Sequence, residues 1–195
     1  MTSDHNLERD CDVISSMTRP SRERDFNLSH RQQVRINIAL RGTWHAIFDP
    51  CPSLQEIDDE NNGVIFRPFM EWAYEHRDPL DWTLHLSVYD WLAQSPLAGK
   101  LTKQVCREVR AVAAAQWAAL DRSSFLGIAI AHSSDPTWTV AFKARNVHIV
   151  RSIEEINIGS PPPPPENGFG YFLIPSWDLE TFPGWTLLNN AASQN

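Results

Sequence analysis

The sequence predicts an α+β fold: helices first, then a small antiparallel three-stranded meander. Three observations carry that expectation. Residues 101–122, "LTKQVCREVRAVAAAQWAALDR", are rich in good helix formers and hold neither glycine nor proline. Beyond Ser123 the pattern turns to period two, in "FLGIAIAHS", "TWTVAFKA" and "NVHIVRS". The links between these runs, at Asp135-Pro136 and near Asn146, are short enough for hairpins. Helices segregated from a later antiparallel sheet give α+β rather than a doubly wound fold.

Residues 1–27 are polar, charged and without apolar period, and read as a mobile polar tail. Its "RPSRERD" run is solvated charge or a basic recognition patch. A single α+β domain then spans residues 28–158. In "QVRINIALR" (33–41), Val34, Ile36, Ile38 and Leu40 alternate with polar neighbours, which favours a half-buried strand. A helix capped by Ser29 is the competing reading. Gly42 interrupts, "TWHAIF" follows, and the acidic segment 55–63 forms a loop. Residues 66–76 read as a short helix.

In "DPLDWTLHLSVYDWLAQSP", Asp78 suits an N-cap and Pro79 the first helical position. The segment therefore reads as a helix with Leu80, Leu84, Val88 and Trp91 on one face. Trp82, Leu86 and Tyr89 make it apolar on other sides too, so it should be buried on more than one. In the helix at 101–122, Leu101, Val105, Val109, Val112 and Ala119 share a core face, with Leu120 at its edge. Lys103, Arg107 and Arg110 fall opposite, and Trp117 continues that line. A tryptophan there needs a cover.

Residues 159–167 contain five consecutive prolines, which favour a polyproline strap of roughly 15 Å. Residues 168–195 form an acidic arm. Six of the chain's twenty aromatic residues lie between Phe169 and Trp185. Each buried ring removes about 150–250 Å² from water, so the arm should pack on the domain. The acids Glu166, Asp178 and Glu180 suggest that the tail 166–188 folds back on the face of Lys103, Arg107, Arg110 and Trp117, since no lysine or arginine follows Arg151.

Net charge is −7, which weighs against a nucleic-acid footprint over the whole chain. Cys11, Cys51 and Cys106 lie far apart, which argues against a disulfide framework. No apolar run approaches the roughly 20 residues that span a bilayer, and the first residues lack a secretory pattern. The expected setting is intracellular, cytoplasmic or nuclear, away from membranes.

Catalytic candidates are His85, flanked one turn away by Asp81 and Tyr89, and His45 with Asp49 four residues on. An imidazole oriented by a carboxylate suits acid–base work near neutral pH. Cysteines and histidines show no metal spacing, and phosphate-loop, dinucleotide and nucleophile-elbow motifs do not occur. Neither cofactor nor metal is expected.

The favoured reading is a non-enzymatic interaction or regulatory protein. It would hold a protein partner through Lys103, Arg107, Arg110 and Trp117 and through Tyr171, Trp177 and Trp185. A small cofactor-free lyase or isomerase with a histidine base is the alternative. A nucleic-acid-associated regulator using Arg107 and Arg110 is the third.

Overall fold

The computed structural model describes residues 3–58, 63–121, 127–143, 162–175, 179 and 181–188, with side chains described from residue 11 onward. The head contains helix α1, Ser3–Thr18. Val13 and Met17, one turn apart, pack against the main core. A 3-10 turn over Pro20–Asp25 follows. It is tied down by Glu71, which accepts from the Ser21 amide at 2.8 Å and pairs with Arg19 at 3.1 Å.

Residues 33–41 belong to a helix, which corrects the favoured strand. Helix α2 runs His30–Phe48, and Gln32 Oε1 accepts from both the amide and the hydroxyl of Ser29 at its start. Ile36, Leu40, Trp44, Ile47 and Phe48 are buried at helical spacing, whereas Val34 and Ile38 face outward. The alternation merges a core stripe with an exposed one. Gly42 meets open space, and core packing outweighs its roughly 1 kcal/mol helix penalty.

The single turn α3 (Pro52–Gln55) leads toward α4 (Phe66–His76), the short helix expected there. Buried Asp58 acts as a remote cap of α4. It accepts from the Ile65 amide at 2.6 Å and from Trp44 Nε1 at 2.8 Å. At the other end of α4, Arg77 adopts a left-handed φ of 52° and the Asp78 amide bonds back to Ala73.

Helix α5 is Leu84–Gln94, starting five residues later than the expected start with Asp78 as cap and Pro79 as first helical residue. Asp81 makes the turn instead, accepting from the amide (2.8 Å) and hydroxyl (2.7 Å) of Thr83. Leu80 is exposed as a result. The expected burial on several sides holds: His85, Leu86, Ser87, Val88 and Leu92 are all buried.

Helix α6, Lys103–Leu120, is capped by Thr102, whose hydroxyl accepts from the Val105 amide at 3.2 Å. It too is covered on two faces. Val105 and Val109 are buried as expected, but so are Cys106, Arg110, Ala113, Ala114 and Trp117. Ala119 and Leu120 are exposed.

The fold is α+β with a four-stranded antiparallel sheet in the order β2-β1-β3-β4. Strands β1 (Gly127–His132) and β2 (Asp135–Phe142) form the expected first hairpin. The run at 146–152 lies outside the described residues. The strand on the other side of β1 is β3, Phe169–Ile174, from the aromatic arm, and β4 is Thr186–Leu187. Every residue of the central β1 is buried.

Side chains divide by parity between two layers. Ile128, Ile130 and Phe169 join the helix-side core, while Ala129, Phe172 and Ile174 form a separate cluster on the outer face. Cross-strand register agrees, since Ala129 stands opposite both Val140 and Phe172.

Candidate functional site

The helix-side interface of the sheet is polar at its centre. Arg110, 1% exposed, reaches from α6 to β2, where Nη2 lies 2.7 Å from Asp135 Oδ2 and 3.1 Å from Thr137 Oγ1. Nη1 donates to the Thr137 carbonyl, and Nε is buried without a partner. Asp135 Oδ1 accepts from the Thr137 amide at 3.0 Å and hydroxyl at 2.8 Å. Those two Thr137 donors, aided by Arg110 and Arg107, draw the Asp135 carboxyl down to about 2. Asp135 is therefore ionised throughout the neutral range, and its two oxygens are satisfied by Thr137 and Arg110.

Trp117 is covered at the end of the sheet by Lys143, the residue following β2. Lys143 Nζ sits 4.2 Å from the centre of its ring and also binds the Asp121 carboxylate and carbonyl. Among the described residues the charged group over the ring is a lysine and not one of the acids Glu166, Asp178 and Glu180. Glu166 is exposed, and Asp178 and Glu180 lie outside the described residues. Arg110 and Trp117 thus make their contacts inside the molecule. Lys103 and Arg107 remain exposed, with Arg107 Nε 3.8 Å from Asp135.

His132 shares this interface. Its Nδ1 accepts from the Ser134 amide at 3.2 Å, and its ring packs edge-on to Phe169 and Tyr89 at 4.7 and 5.2 Å. Burial first, then the Arg110 charge, pulls its pKa below the ordinary value and keeps it neutral. Burial likewise lifts the Cys106 thiol to about 11, so it is not a ready nucleophile.

His85 is fully buried, with Nε2 2.9 Å from the Ile47 carbonyl and Nδ1 3.3 Å from the Gln116 amide oxygen. Burial lowers its pKa. It ties α5 to α2 and α6 and does not open onto solvent. Asp81 serves the turn before α5 rather than that ring. His45 does meet Asp49, at 3.0 Å, but on the exposed last turn of α2. The two histidines differ in setting: His85 is buried, while the side chain of His45 is partly exposed to solvent.

The outer face of the sheet is built differently. Trp138, Phe172, Phe182 and Trp185 form a nest of rings with edge-on centroid separations of 5.1–6.2 Å. Phe172 and Leu179 are buried, but Trp138, Phe182 and Trp185 are only partly covered, and Val140 beside them is 42% exposed.

The prolines hold this layer in place. Pro162 and Pro165 are buried, and Trp185 Nε1 donates to the Pro163 carbonyl at 2.6 Å. Gly170 lies between them: an added Cβ would stand 2.8 Å from Pro165 and 3.1 Å from Trp185. Tyr171 points to the helix side, edge-on to Trp82 at 5.0 Å. Trp177 lies outside the described residues.

Sequence reasoning missed Trp138 and Phe182 as members of this layer. From the sequence Trp138 reads only as a residue of the strand "TWTVAFKA". Its partners come from more than 30 positions away, and the local pattern carries no sign of them.

No curated protein matches the chain. The family described as "Methanobactin biosynthesis cassette protein MbnC-like" matches residues 23–189, from the 3-10 turn to the end of the outer aromatic layer. The chain belongs to the MbnC-like family of methanobactin biosynthesis cassette proteins.

Proposed function

We propose that the chain is a binding component of methanobactin biosynthesis, holding another protein of the pathway through the outer aromatic layer of its sheet. The observation that carries this reading is the partly open nest of Trp138, Phe182 and Trp185, with Val140 exposed beside it. Clustered aromatic rings with a polar rim are what protein interfaces use as anchors. The family description supports a role in biosynthesis alongside other proteins of a cassette.

Burial of His85 and the wholly internal contacts of Arg110 and Trp117 support assigning those residues to folding. The test is co-expression with the other proteins of a methanobactin biosynthesis cassette, followed by size-exclusion chromatography. A complex with the wild-type chain that Trp138→Ala plus Trp185→Ala abolishes, with the variant still folded, is the expected result. A complex unaffected by both substitutions would refute the assignment.

A further inference from the structure

Helix α2 carries a second feature that the sheet-side reading does not use. Between His30 and Phe48 it contains Arg31, Arg35 and Arg41 and no acid, in a chain whose net charge is −7. Its outward stripe also leaves Val34 and Ile38 in water, the latter 68% exposed. Helix α1 lies alongside and adds Ile14, itself 61% exposed. Scattered exposed apolar residues need no explanation, but these converge. Val13, Ile14, Met17, Arg35, Ile38 and Ala39 line one open groove of about 520 Å³.

We propose that this groove docks an acidic amphipathic helical segment of another protein, with apolar side chains in the groove and carboxylates against Arg31 and Arg35. Concavity favours a ridge of side chains over a flat bilayer surface, and a groove lined from two helices suits a helical ridge laid into it. Charge selects its sign on the α2 wall, where Arg31 and Arg35 are one turn apart on the same face and Arg35 lines the groove. The sequence of α1 carries Asp10 and Asp12 just before its apolar lining residues, so the attraction comes from α2 alone. The acidic remainder of the molecule works against anionic membranes and nucleic acids at the same place. Since α1 precedes the family-matched residues 23–189, one wall of the groove is supplied from outside that match. The site involves other elements than the aromatic layer, so the two assignments stand or fall separately.

The test is fluorescence anisotropy with full-length protein and a labelled synthetic helical peptide bearing leucines on one face and glutamates along both edges. Saturable binding is expected, weakened by high salt and reduced roughly tenfold or more by Ile38→Ser and by Arg35→Glu. Both positions are exposed, so thermal melting should show both variants folded. The proposal is overturned if the acidic peptide does not bind, or if both variants bind it as wild type does. Equal binding of a lysine-for-glutamate peptide would overturn it as well. Binding to phosphatidylserine vesicles or duplex DNA in preference to the peptide would assign the groove to those surfaces instead.

Discussion

The two sides of the sheet are covered by different means. Its inner face is closed by α5 and α6, and the interface encloses a buried ion pair, a neutral histidine and a capped tryptophan. Among the described residues its outer face is covered by the chain's last segment, strapped down by prolines, and several rings remain partly in water. The inner side is specified by polar groups that must be satisfied together. The outer side is an apolar layer that still has area to offer. A residue's value for folding and its value for binding should therefore separate across the sheet.

The largest effect expected is on the inner side. Arg110→Ala would leave Asp135 buried without its main cation and should cost about 3–5 kcal/mol, read by urea unfolding. A loss below about 1 kcal/mol would mean that the pair is not buried as described. Trp117→Ala should cost a similar amount, about 3–5 kcal/mol, through the lost contacts of a side chain 2% exposed.

Acid should discriminate next. His85 and His132 both have folded-state pKa values below the ordinary 6.5. The unfolded chain therefore binds protons first as pH falls. Their contribution to stability is present above pH 6.5 and is lost as pH drops below it. Thermal melts should show His85→Gln reducing that acid sensitivity relative to wild type. An unchanged slope would mean that the His85 ring is solvated. The residues of the outer cluster contribute no titrating group to this effect.

Smaller changes sharpen the contrast. Trp185→Ala should lower stability by about 1 kcal/mol while removing the proposed contact surface, a dissociation that inner-face substitutions cannot produce. Thr102→Ala should cost about 1 kcal/mol through loss of the α6 cap, with binding intact.

The part of this contrast that was legible in the sequence is the part built from local signals. Helix α6 is uninterrupted, and the first hairpin has a clear period and a short turn, so both are read correctly. Helix α2 defeats the same method because Val34 and Ile38 are apolar yet exposed, so a helical core stripe looks like a strand. The place of Phe169–Ile174 beside β1 depends on a pairing across more than 35 residues, which no local pattern encodes. For the same reason the arginine stripe was visible but its acid was not. Asp135 reads as a turn residue, and only the packing of β2 on α6 brings it to Arg110. That the terminal rings must pack somewhere was legible; that they pack on the sheet rather than on α6 was not.

Hydrogen exchange on the purified chain, alone and in complex with the proposed cassette partner, tests the division most directly. Added protection should appear in the strands and arm around Trp138, Phe172 and Trp185, with β1 slow in both states. Protection confined to other elements, with those segments exchanging as fast in the complex as in isolation, would contradict the assignment of the outer layer as the contact surface.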